Sequence, residues 1–101
     1  MGKWMTVATV GQLKDGEGLV VPAGAEEIAL FRIEGRVHAC TNVCPHRGGP
    51  LGDGFLDGPV VACPWHGWEF NVTTGRMPVN PNVGVKTFPA QVVGEDVQVE
   101  V

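Results

Sequence analysis

Residues 44–49 read Cys-Pro-His-Arg-Gly-Gly, and residues 63–68 read Cys-Pro-Trp-His-Gly-Trp. Each stretch offers one soft thiolate and one imidazole, and each sets a proline directly after its cysteine. Sixteen residues separate His46 from Cys63. Two thiolates and two imidazoles are the ligand set of a [2Fe–2S] centre in which two histidines replace two cysteines on one iron. Cys44 and Cys63 would hold one iron, and His46 and His66 the other. Such a centre is redox-active, so the default task of the chain is to carry one electron.

Zinc is the alternative, because two cysteines and two histidines also make a tetrahedral structural site. Against zinc stands the Cys-x-His spacing of Cys44 and His46, tighter than the usual finger pattern. The glycines also have no purpose in a finger. Gly48 and Gly49 after the first pair, and Gly67 after the second, permit positive φ and close backbone approach. Pro45 and Pro64 stiffen each loop before a metal arrives.

CPHRGGPLGDG (44–54) and CPWHGWEFNVTTG (63–75) resemble the two cluster-binding loops of Rieske ferredoxins and Rieske oxygenase domains. The resemblance implies an all-β antiparallel sandwich, with a small cluster-binding subdomain inserted at about residues 41–75 of a single 1–101 domain. It implies one [2Fe–2S] cluster on Cys44, His46, Cys63 and His66, with no catalytic residue. Electron transfer would be outer-sphere. The added electron would rest on the histidine-ligated iron, and the outer imidazole nitrogens would mark its exit. Because a coordinating imidazole titrates on that nitrogen, the potential should fall as pH rises through the histidine pKa of the oxidised form.

High-potential members of the family add a disulfide between the loops, at positions held here by Gly49 and Trp65. They also place serine and tyrosine hydroxyls near the cluster, where this chain has Trp68 and Phe70. Hydrogen bonds to cluster sulfur or ligand thiolate raise the potential. Their absence predicts a value near the bottom of the Rieske range, roughly −150 mV. The family also shields its cluster with a third, proline-bearing loop. Met77 to Val83 matches it, with Pro78 and Pro81 in the corresponding places.

The remaining reactive side chains read as structural. Cys40 is left alone once two cysteines are taken as ligands, and free cysteine is among the most buried residue types. His38 falls outside both ligand spacings and reads as a strand residue. Trp65 is expected to pack over the cluster, with a place on a docking face as the alternative, and Arg47 is a candidate for steering a partner.

With 101 residues, 15 glycines and 8 prolines, the chain suits one domain of short strands and tight turns. A net charge of −4 is a poor match to nucleic acid, which needs basic patches, and suits a basic patch on a protein partner. No apolar run reaches the roughly 18 residues of a membrane span, and the first residues are too polar for a signal peptide. A single spare cysteine gives no sign of an oxidising compartment, so the expected location is cytoplasmic. Met1-Gly2 with Thr6, and Asn71-Val72-Thr73, match modification patterns too short to carry weight.

Strands are expected near residues 3–10, at Gly18 to Val21, Glu26 to Ile33 and Arg36 to Asn42, with a hairpin turn at Glu34-Gly35. A hairpin of Gly54 to Leu56 and Val60 to Cys63, turning at Asp57-Gly58, delivers the second loop, and Trp68 to Val72 returns from it. Val85 to Val93 and Val97 to Val101 form a last hairpin, its final strand marked by alternating valines.

Two functions fit. One is a ferredoxin carrying electrons from a flavin-containing NAD(P)H reductase to a terminal oxygenase of aromatic-ring systems. The other is the small subunit of an assimilatory NAD(P)H nitrite reductase, bound to its large subunit through a bigger, more apolar interface. A catalytic oxygenase is not expected, since its mononuclear iron needs two further histidines and a carboxylate. Only His38 remains.

Overall fold

The computed structural model describes residues 2–45, 48–65 and 67–101; Met1, His46, Arg47 and His66 lie outside the described residues. Among the described residues ten strands follow in chain order: β1 Trp4–Thr9, β2 Gly18–Ala23, β3 Glu26–Ile33, β4 Arg36–Thr41, β5 Phe55–Asp57, β6 Val60–Ala62, β7 Glu69–Asn71, β8 Thr87–Phe88, β9 Ala90–Val93 and β10 Asp96–Glu100. They form three sheets, ordered β1-β10-β9, β2-β3-β4-β8 and β5-β6-β7, with antiparallel pairing throughout. The all-β antiparallel class expected from the sequence is the one observed.

The middle sheet is a wall between two cores, and this explains its continuous apolar run. Successive side chains of a strand point to opposite faces. Along β3, Ile28 and Leu30 join Val97, Val99 and Phe88 in the first core, towards the β1-β10-β9 sheet. Ala29 and Phe31 join Leu51, Val61, Phe70, Cys44 and Cys63 in the second. β4 divides the same way, with Ala39 in the first core and Cys40 in the second. The strand reads as apolar on both faces because both faces are covered.

The outer sheet shows the simpler half-buried pattern. Val97 and Val99 of β10 are fully buried. Between them Gln98 turns outwards, donating from Nε2 to Thr6 Oγ1 at 3.2 Å and accepting from Gln91 Nε2 at 2.8 Å. Such cross-strand pairs hold the register of all three strands.

Turn chemistry follows the glycines. Glu34 and Gly35 both adopt positive φ, 51° and 78°, which matches the primed turn favoured in two-residue hairpins. Asp57 proves to be the last residue of β5, so its hairpin turns at Gly58-Pro59 rather than at Asp57-Gly58. The single strand expected over Val85 to Val93 is two. β8 pairs with β4 in the middle sheet, whereas β9 pairs with β10 in the outer one. Pro89 stands between them without an N–H to continue a ladder, and the chain changes sheet there. Two short 3-10 turns, Val10–Gln12 and Leu51–Asp53, were not anticipated. The Thr9 N–H donates to Gln12 Oε1 at 2.9 Å across the first of them.

Candidate metal centre

The two cysteine loops are copies of one construction. An antiparallel bridge between Val43 and Pro50 closes residues 44–49, and the Ala62–Glu69 pair of the β6–β7 hairpin closes residues 63–68. In the first loop the Cys44 N–H donates to the Gly49 carbonyl at 2.9 Å, and the Gly48 N–H donates to the Cys44 carbonyl at 2.7 Å. In the second loop the Cys63 N–H donates to the Trp68 carbonyl at 2.8 Å, and the Gly67 N–H donates to the Cys63 carbonyl at 3.0 Å. The fifth residue of each loop takes positive φ, 77° at Gly48 and 75° at Gly67. An L-residue rarely adopts that conformation, and glycine adopts it freely.

The loops meet. A Cβ placed on Gly49 would sit 2.6 Å from Cys63 Sγ and 3.0 Å from Trp65 Cγ. Glycine at 49 therefore lets the backbone of the first loop lie against the cysteine of the second. Cys44 and Cys63 are 2% and 3% exposed and share the second core with Leu51, Val61, Phe70 and Met77. Neither is in a disulfide. Two buried thiols on matched, touching hairpin loops are a donor arrangement that suits sulfur ligation of iron. His46 and His66, the other two expected ligands, lie outside the described residues, as does Arg47. Among the described residues no group of three or more His, Cys, Asp or Glu side chains is placed to hold a metal ion.

The other sequence expectations divide. Cys40 is fully buried on β4, and burial pushes its thiol up to about 12, so it is an inert apolar residue at neutral pH. His38 sits on β4 opposite Phe31, its pKa lowered first by burial and then by Arg36. Trp65, read as packing over the cluster or as part of a docking face, is 57% exposed. Its ring lies along Gly49 and presents its remaining surface to solvent. Phe70 is fully buried and Trp68 half-buried.

In the third loop Pro78 and Pro81 are exposed, and Met77 is the residue that enters the second core. Its N–H donates to the Val83 carbonyl at 3.0 Å, closing the loop.

Sequence reasoning passed over Asn42, the one buried polar residue among the described residues, at 1% exposure. Its Oδ1 accepts from the Gly52 N–H at 2.7 Å, and its Nδ2 donates to Glu27 Oε1 at 2.5 Å. An asparagine just before a ligand loop, at the end of an apolar strand, was the available signal.

The fold and the paired loops define a class: an all-β protein in which two cysteine-led hairpin loops lie against one another. Residues 3–89 match the family model described as the Rieske [2Fe-2S] domain. The chain belongs to the Rieske family, whose members bind a [2Fe–2S] cluster. It is 35% identical to the ferredoxin component of a naphthalene 1,2-dioxygenase system from Pseudomonas aeruginosa, over 97% of this chain and 95% of that one. Among solved structures, one assigned as an NADH-dependent nitrite reductase small subunit from Mycobacterium tuberculosis superposes with a TM-score of 0.91. It is 28% identical and covers 100% of this chain and 96% of its own. The ferredoxin of carbazole 1,9a-dioxygenase from Nocardioides aromaticivorans IC177 gives 0.87 at 27% identity, with 96% of each chain covered. No helix among the described residues is long and apolar enough to cross a membrane.

Proposed function

We propose that this chain is a Rieske ferredoxin, a one-electron carrier between an NAD(P)H-dependent flavin reductase and a terminal, aromatic-ring oxygenase in the cytoplasm. The observation that carries this reading is the end-to-end match to a dioxygenase ferredoxin component, in which each chain covers nearly all of the other. We assign Cys44 and Cys63 to one iron and His46 and His66 to the other, within a cluster-binding unit of about residues 41–75 in a single domain. The cluster, when bound, supplies reversible one-electron chemistry. The chain's own residues bury the two thiolates, bring the loops into contact at Gly49 and leave Trp65 open to solvent beside them. An exposed aromatic side chain next to the redox centre is an apt contact for a transient partner.

The superposition on the nitrite reductase small subunit favours a second reading, a tightly held subunit of an NAD(P)H nitrite reductase. Two measurements test both. An EPR spectrum of the dithionite-reduced protein should give a rhombic signal with average g below two; no signal from metal-replete protein would end both readings. NADH consumption with a flavin reductase and a ring-hydroxylating oxygenase should then depend on added protein. Co-purification with a large nitrite reductase subunit would decide for the alternative.

A further inference from the structure

We propose that Asn42 is the positioning residue of the first cluster loop, its side-chain amide standing in for a strand ladder that this loop lacks. The inference rests on the cluster-carrier reading above. The two loops, so alike internally, differ at their bases. The second loop springs from a registered hairpin in which Ala62, Val61 and Val60 pair with Glu69, Phe70 and Asn71. The first has the single Val43–Pro50 bridge. Pro50 has no N–H to extend the pairing, and the 3-10 turn Leu51–Asp53 then carries the chain away.

Asn42 takes up what the ladder would have supplied. Its backbone carbonyl accepts from the Leu51 N–H at 2.8 Å, and its side-chain oxygen accepts from the Gly52 N–H at 2.7 Å. Two consecutive donors leaving the loop are thus held by one residue entering it. Asn42 is itself fixed to the neighbouring strand. Its N–H donates to the Glu27 carbonyl at 2.9 Å, and its Nδ2 donates to the Glu27 carboxylate. That charge-assisted bond polarises the amide and strengthens Oδ1 as an acceptor. There is no slack at Gly52 for another solution, since a Cβ there would lie 2.5 Å from Val20 Cγ2. The position of Cys44, two residues beyond Asn42, is set by this clamp.

The test is the rate at which holoprotein loses its visible cluster absorbance to excess EDTA, well below the melting temperature. Asn42→Ala should accelerate loss at least tenfold. Val97→Ala, which opens a cavity in the other core, serves as the comparison because it lowers stability without touching the loop. Asn42→Asp keeps an oxygen for the Gly52 N–H but faces Glu27 with a second carboxylate, so it should also lose cluster quickly. Adding Glu27→Gln gives that carboxylate an amide donor and should restore most of the wild-type rate.

If Asn42→Ala loses cluster no faster than Val97→Ala, the proposal is overturned. Should Asn42→Ala not fold, the Asp/Gln exchange decides alone, and an absence of rescue overturns it. Wild-type protein that takes up no cluster would instead overturn the underlying reading.

Discussion

Gly49 and Cys63 stand so close that a Cβ on the glycine would lie 2.6 Å from the cysteine sulfur. The contact joins two loops distant in sequence, and it makes residue 49 a steric rather than a conformational glycine. Gly48 is the reverse case. Its φ of 77° demands glycine, yet the nearest atom to a Cβ there is Val43 Cγ1 at 3.8 Å. Gly49→Ala should therefore impair cluster assembly in this chain, where Trp65 also crowds the position, with iron content below that of wild type. Gly48→Ala should assemble the cluster at a stability cost of about 1–2 kcal/mol, the usual penalty of left-handed backbone. Iron analysis and thermal melts of both variants check the contrast.

His46→Ala and His66→Ala should each abolish the rhombic EPR signal while far-ultraviolet circular dichroism keeps the β-sheet spectrum. The three sheets are held by the cores around Val97 and around Phe70. A normal signal from either variant would refute the ligand assignment.

Alkaline stability should depend on Cys40. Its thiol is raised from 9.0 to about 12 by burial, so the unfolded chain ionises first as pH rises. Its contribution is intact below pH 9.0 and is lost between there and about 12. The full shift corresponds to roughly 4 kcal/mol at most. Denaturant titrations across this range should show a shallower decline in Cys40→Ala than in wild type. At neutral pH, Cys40 should resist thiol reagents until the protein unfolds.

The midpoint potential should fall near −150 mV, at the low end for Rieske centres. Phe70 is wholly buried in the core with the two cysteines and brings no hydroxyl to it. The three cysteines form no disulfide to tie the loops. Protein-film voltammetry from pH 6 to 10 measures both the value and its expected fall as pH rises.

Much of this molecule was legible in the residues themselves. The two cysteine-led loops pointed to the Rieske family, because such a signature resides in side-chain type and short-range order. β3 was read to its exact ends, since its run from Glu26 to Ile33 is bounded by turn residues. The positive φ of Gly48 and Gly67 was also anticipated, as a local demand of a tight loop.

What the sequence left open depends on contacts between distant segments. That Val85 to Val93 divides between two sheets at Pro89 follows from which strands lie alongside, β4 on one side and β10 on the other. That Trp65 is exposed depends on how the first loop lies against it. Asn42 looked like an ordinary strand end until the fold set the Gly52 N–H and the Glu27 carboxylate on either side of its amide. Sequence by itself determined the family and the glycine turn of each loop. Only tertiary structure decided how the two loops meet and what holds the first in place, because those are long-range contacts that no short window of residues encodes.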